Sequence, residues 1–190
     1  MNSLAYALLS MLIRKSCTGY ELTQFLETFW QAKHSQIYPL LKKLENADML
    51  TFVYEHQTAK PDKKIYTITP KGKEVLSEWI ATKPSPPVSR DEFLIKAYAI
   101  WLTDTETASE LFNERIDFYQ KKIDFRKEKI AEMELEYGQQ LLDPTASHFG
   151  RYILFKRKLK LEQDEVEWCQ WVLSIIENYT VQTKSKKTAK

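Results

Sequence analysis

Leu4, Ala7, Leu8, Met11 and Leu12 recur at helical spacing, so residues 3–14 are expected to form an amphipathic first helix. Thr18 and Glu21 have the spacing of a capping box, in which each side chain satisfies a backbone amide of the other's turn. They open a second helix with Leu22, Phe25, Leu26 and Phe29 on its apolar face. A third helix is expected to start near Ser35 as N-cap, with Pro39 in its first turn, where a missing amide costs no intrahelical bond. Ile37, Leu40, Leu41 and Leu44 form its buried stripe, and it ends near Ala47. From Leu50 the period drops to two: Leu50, Phe52 and Tyr54 alternate with Thr51, Val53 and Glu55, and residues 65–69 alternate again after a polar connection containing Pro61, Asp62 and Lys63. Thr69 as N-cap with Pro70 at the first helical position then starts a helix burying Val75, Leu76, Trp79 and Ile80. The order helix, helix, helix, hairpin, helix is that of a winged helix-turn-helix over residues 18–69, followed by a linking helix.

A stiff stretch, Lys83-Pro84-Ser85-Pro86-Pro87, marks a boundary between a domain of residues 1–83 and a helical domain of residues 84–181. Ser89 with Glu92 predicts a capped helix burying Phe93, Leu94, Ala97, Tyr98 and Trp101, and Thr103 with Glu106 opens a longer one. In the latter, Phe112, Ile116, Tyr119, Ile123, Arg126, Ile130, Met133 and Tyr137 alternate intervals of four and three, a heptad seam broken only by Arg126. After Asp143 and Pro144 a last helix is expected over residues 146–179. Its seam is Tyr152, Phe155, Leu159, Glu162, Val166, Cys169, Leu173 and Ile176, broken only by Glu162. The short connection makes the two helices antiparallel. Counted from Asp143, Arg126 and Glu162 lie 17 and 19 residues away, an offset of about 3 Å along the axis, so they are expected to meet, within the hairpin or between subunits; the alternative is two solvated charges at a seam edge. A second apolar line at intervals of seven, Leu154, Leu161, Trp168 and Ile175, needs another partner surface. It predicts a homodimer, with Trp168 and Trp171 as interface anchors. The fold class is therefore mostly α, a winged helix-turn-helix joined to a dimerisation domain of antiparallel long helices.

Composition narrows what such a chain does. The 190 residues carry 43% hydrophobic and 28% charged side chains, with no uncharged apolar run near the roughly 18–20 residues of a membrane span. The first residues lack a basic segment ahead of their apolar stretch, which argues against a signal peptide. Two distant cysteines, Cys17 and Cys169, fit a reducing cytoplasm and neither a disulfide scaffold nor a zinc site. No phosphate loop, HExxH or nucleophile elbow is present, and His34, His56 and His148 have no sequence-local acid or nucleophile, so an enzyme, a metal and a cofactor are not expected. Residues 1–83 hold 11 Lys+Arg against 8 Asp+Glu, residues 84–181 hold 13 against 18, and the expected disordered tail, 182–190, adds four lysines. The basic first domain points to a polyanion.

Double-stranded operator DNA is the expected partner, read by Lys33, His34, Ser35, Gln36, Tyr38 and Lys42 of the third helix. Gln36 has the donor and acceptor to grip adenine, and Ser35 bonds several bases. Lys60, Lys63 and Lys64 of the hairpin are expected on phosphates, where they add affinity without sequence information. For a regulator that answers a ligand, Phe93, Lys96 and Tyr98 just past the linker, with His148, Arg151 and Tyr152 at the start of the last helix, supply the aromatic faces and cations that suit a small aromatic acid. They are expected to meet where the two domains join.

The run Phe29-Trp30-Gln31-Ala32-Lys33-His34-Ser35-Gln36-Ile37-Tyr38-Pro39, with Leu41-Lys42-Lys43-Leu44 after it, resembles the recognition-helix region of the PadR family of transcriptional regulators. Gly19-Tyr20-Glu21-Leu22, the strand Lys64-Ile65-Tyr66-Thr67-Ile68-Thr69 and Gly72 fit the same pattern. Asp91-Glu92-Phe93-Leu94-Ile95-Lys96-Ala97-Tyr98 and Phe149-Gly150-Arg151-Tyr152 resemble the long C-terminal domain of its phenolic-acid-responsive members. Arg151 stands where histidine is expected in those proteins. The resemblance covers all but the lysine tail and implies a homodimeric repressor that leaves its operator when a small aromatic acid binds. The alternatives are a regulator of the same architecture answering a hydrophobic drug, and a helical adaptor without DNA binding.

Overall fold

The computed structural model describes residues 1–26, 30, 32–56, 62–88 and 90–188, with side chains through 182. Phe29, Lys60 and Ser89 lie outside these. Two compact units divide the chain, Met1–Pro86 and Pro87–Lys190.

In the first unit, α1 (Ser3–Leu12) is capped by the Asn2 side chain, which accepts from the Ala5 amide at 3.0 Å. Its Leu4, Leu8, Leu9 and Leu12 are buried against Leu22 and Leu26 of α2 (Gly19–Leu26) and Ile37, Leu41 and Leu44 of α3 (His34–Asn46). The capping box forms as expected: the Glu21 amide donates to Thr18 Oγ1 at 3.2 Å and the Thr18 amide to Glu21 Oε2 at 2.8 Å. At α3 the cap differs from expectation. Lys33, not Ser35, is the N-cap, because the Gln36 side chain reaches back to accept the Lys33 amide at 3.0 Å and starts the helix two residues earlier. A hairpin of β2 (Leu50–Glu55) and β3 (Lys63–Ile68) follows, pairing Leu50 with Ile68 through to Glu55 with Lys63. β1 (Cys17–Thr18) adds a third strand on the other edge of β3. Two residues are too few to show alternation, so this strand had no signature in the sequence.

The helix α4 (Pro70–Ile80) starts on its expected cap, Thr69, whose Oγ1 accepts the Gly72 amide at 3.1 Å and donates to the Asp48 carbonyl at 2.7 Å. Only Leu76 of its expected apolar face is fully buried. Ile80 is 69% exposed, and Trp79, 37% exposed, stacks on Tyr6 at 4.4 Å. Gly72 is the tightest glycine in the chain: a Cβ there would lie 2.3 Å from the Met49 carbonyl oxygen and 2.8 Å from Ile68 Cγ1. Since a backbone oxygen cannot step aside, Gly72→Ala is expected to cost about 1–3 kcal/mol, seen as a melting transition several degrees lower.

In the second unit, α5 (Glu92–Tyr98) is capped by Asp91, and a 3₁₀ turn (Ile100–Leu102) leads to α6 (Thr105–Tyr137). The α6 cap is Asp104 rather than Thr103: its carboxylate accepts the Thr107 amide at 2.8 Å, the stronger acceptor winning over the neighbouring hydroxyl. Gly138 ends α6 at φ +50°, a second 3₁₀ turn (Gly138–Leu142) follows, and α7 (Phe149–Thr188) returns antiparallel. It starts three residues later than expected. With no glycine or proline to stop it, it also runs on to Thr188, where a disordered tail from 182 was expected.

The heptad seam packs into two clusters, joined respectively by Leu141 of the second 3₁₀ turn and Phe93 of α5. Ile130, Met133, Leu141 and Phe155 lie near the turn, and Phe93, Phe112 and Cys169 at the far end. Of the apolar face expected on α5, Phe93 is buried, while Leu94, Tyr98 and Trp101 are 48%, 88% and 78% exposed. Burial pushes the Cys169 thiol up to about 11 and raises that of Cys17, so both are held as inert thiols.

Arg115 ties the three helices together. Its Nη2 donates to Asp91 Oδ2 and its Nε to Glu165 Oε1, both at 2.6 Å, while its guanidinium sits 3.9 Å over the Phe93 ring. The Arg115 hydrogen bond, helped by the Phe93 amide and opposed by burial, holds the Asp91 carboxyl below the usual range. A carboxyl lowered in the folded state adds stability above the unfolded value of about 3.9, and that stability is lost as pH falls through the lower folded value. Asp91→Asn is therefore expected to cost about 1–2 kcal/mol at pH 7 and progressively less below pH ~4, read by melting both proteins across that range.

Candidate nucleic-acid interface

The start of α3 presents exposed Lys33, His34, Ser35 and Gln36 on a surface fixed by the buried Ile37 behind them. The imidazole of His34 stacks between Tyr20 and Tyr38, with ring centroids 6.1 and 6.2 Å away. Thr23 Oγ1 donates to the Gly19 carbonyl at 3.0 Å and lies 3.4 Å from His34 Nδ1. With the single hydroxyl proton given to Gly19, Nδ1 is the donor to Thr23, which leaves the Nε2 lone pair to accept from a base. Tyr38 is 48% exposed and packs over the first residue of α2; a Cβ on Gly19 would come within 2.8 Å of its ring. It thus both braces α2 and offers its edge to a ligand. Gln36 is exposed, but its amide oxygen is held by the Lys33 amide, so gripping adenine requires that oxygen to leave the cap.

Between α3, the start of α2 and the hairpin runs an open groove of about 860 Å³, lined by Tyr38, Lys42, Glu45, Lys63 and Lys64 among others. Its cations are not equivalent. Lys63 is exposed, opposite Glu55 in the hairpin register. Lys64 turns inward, 3.6 Å over the Phe52 ring, 5.6 Å from that of Tyr54 and 3.6 Å from Glu45 Oε2. Lys42 Nζ donates to Glu45 Oε1 at 2.7 Å, and this bond, with Lys64 assisting, holds the Glu45 carboxyl below the usual range. Lys60 lies outside the described residues. Sequence reasoning passed over Tyr20 and Glu45. The spacing of Lys42 and Glu45, three apart on one helix, was the available signal for the second.

The six residues expected to share an effector site do not form one pocket within a chain. Phe93 is packed edge-on against Phe112 and Trp168 at 5.2 and 6.1 Å, Lys96 pairs with Glu92 at 3.0 Å, and Tyr98 faces outward. At the other end of the hairpin, His148 stacks on Tyr137 at 4.0 Å, Arg151 lies 5.2 Å over Phe155, and the Tyr152 hydroxyl donates to Glu134 at 2.8 Å. Phe112 and Tyr137 are separated by about 37 Å along α6. The reason is topological: an antiparallel return places the start of α7 beside the end of α6, while α5 packs beside its beginning. Of the expected interface residues, Leu154, Leu161, Trp171 and Ile175 are 37%, 44%, 57% and 49% exposed, whereas Trp168 is partly buried against Phe93 and Phe112. Among the described residues no helix is long and apolar enough to cross a membrane, and no three or more His, Cys, Asp or Glu gather to hold a metal.

Residues 8–78 match the transcriptional regulator PadR-like family and residues 89–177 the virulence activator alpha C-terminal family. The chain is 35% identical to the negative transcriptional regulator PadR of Bacillus subtilis, over 93% of this chain and 99% of the relative. Among solved structures, B. subtilis PadR in complex with operator DNA is similar at a TM-score of 0.67 and 34% identity, covering 92% of this chain and 99% of that one. The same protein in complex with p-coumaric acid is similar at a TM-score of 0.60 and 34% identity, covering 93% and 99%. These relatives are regulators, as the sequence led one to expect, rather than enzymes.

Proposed function

Because this chain belongs to the PadR-like family of transcriptional regulators, we propose that it is a homodimeric repressor that binds operator DNA through α3 and the hairpin and is released by a small phenolic acid. The single observation that carries the reading is the 35% identity to a negative regulator over 93% of this chain, which spans both units together. The start of α3 supports the DNA step: four exposed polar side chains stand at a helix N-terminus, whose free amides and partial positive charge favour phosphate, with Lys63 on the neighbouring hairpin. Dimerisation is supported by the line of Leu154, Leu161 and Ile175, with Trp171 beside it, a run of apolar surface that a soluble monomer rarely exposes. Two recognition helices about 34 Å apart then read two half-sites. For the effector, the cation and rings gathered at His148, Arg151 and Tyr152 suit an aromatic carboxylate, whereas Phe93 belongs to the packing of the helices.

The reading is tested by selecting bound duplexes from a random pool and titrating the winning complex with p-coumaric acid or, in parallel, a hydrophobic cation. Salt-dependent binding that p-coumaric acid alone reverses is expected. Release by the hydrophobic cation alone would replace the effector, and absence of any selected duplex would remove the DNA-binding function.

A further inference from the structure

We infer that Glu45 sets the strength of DNA binding from within the interface, by neutralising Lys42 and Lys64 so that neither cation is free for a phosphate. The inference rests on the DNA-binding reading above. Glu45 Oε1 accepts from Lys42 Nζ at 2.7 Å, and Oε2 faces Lys64 Nζ at 3.6 Å. That second oxygen is shut off from solvent and accepts no hydrogen bond among the described residues, so the charge of Lys64 is what compensates it. Lys64 is also held by the rings of Phe52 and Tyr54, and its side chain is 30% exposed. The amphipathic stem of a lysine on a strand ordinarily carries its ammonium outward. Here the aromatic pair and the carboxylate hold it against the wall of the groove instead. The Lys42 side chain is exposed, but its ammonium is bound to the same carboxylate. One acid thus cancels charge on the recognition helix and on the wing at once. This holds down the sequence-independent part of the affinity and leaves base contacts at the start of α3 to decide where the protein stays. A regulator that must leave its operator gains from such a limit.

The experiment measures duplex binding of the full chain between 50 and 200 mM salt. Glu45→Gln keeps the shape and removes the charge. It is expected to bind any duplex about three- to tenfold more tightly at the lower salt, with a slope steeper by about 0.9 for each lysine released to a phosphate. In a Lys42→Gln/Lys64→Gln background the same substitution is expected to change affinity less than twofold. Unchanged affinity, weaker binding, or an undiminished effect in that background overturns the inference while leaving DNA binding intact. A wild-type protein that binds no duplex at any salt overturns the DNA-binding reading with it. Should Glu45→Gln fail to fold, single lysine variants give an independent answer. Lys63→Met is expected to weaken binding more than Lys64→Met, and an equal or larger loss from Lys64→Met contradicts the inference.

Discussion

Glu162→Leu is expected to destabilise the helical hairpin by about 3–5 kcal/mol, the largest single effect foreseen for this chain. Arg126 Nη2 donates to Glu162 Oε1 at 2.9 Å and Arg126 Nε to Oε2 at 3.3 Å, with the two side chains 7% and 1% exposed. The pair lies within one chain, between the two apolar clusters of the seam. Leucine at 162 would leave a guanidinium buried with neither charge nor acceptor opposite it. Replacing both residues, Arg126→Met with Glu162→Leu, is expected to melt at or above the wild-type temperature, because the cost of desolvating two ions disappears together with their attraction. Thermal and denaturant melts of the single and double variants check this. A single variant that melts like wild type would mean that the pair contributes nothing to holding the hairpin.

Gln36→Ala is expected to weaken binding to the selected operator by about 1–3 kcal/mol and to relax preference at one base pair. Two causes are combined in that loss, because the same amide oxygen that would grip adenine accepts the Lys33 amide and fixes the start of α3. Gln36→Glu separates them. A glutamate keeps the acceptor of the cap and is expected to restore the melting temperature, but it lacks the amide donor and places a negative charge toward DNA, so affinity stays low. Equal operator affinity in all three proteins would take Gln36 out of the reading surface.

Much of this molecule was legible in its sequence because periodicity carries over long stretches. The heptad spacing on α6 and α7 identified the residues that pack, and counting from Asp143 brought Arg126 and Glu162 opposite one another to within a helical turn. The hairpin and the caps at Thr18 and Thr69 followed from alternation and from residue types with one local use. What escaped has physical reasons. Where two polar residues compete for a cap, as at Ser35 and Lys33 or Thr103 and Asp104, the choice depends on which side chain reaches an amide best, and spacing alone does not rank them. Periodicity also names an apolar face without naming its cover, so Ile80, Tyr98 and Trp101 were expected inside and lie exposed in the single chain. The effector residues were grouped by chemistry, and the antiparallel turn placed them at opposite ends. Glu45 was readable as a partner of Lys42 three residues before it. Its second contact, to Lys64, depends on how the hairpin lies against α3, which no local pattern encodes.

A hydroxyl-radical footprint of the wild-type protein on its selected duplex tests most directly whether this chain reads DNA as a pair of recognition helices. Two protected patches on one face of the duplex, their centres about 34 Å or one helical turn apart, are predicted, with symmetry matching a two-fold dimer. A single protected patch, or protection without any defined spacing, would contradict it.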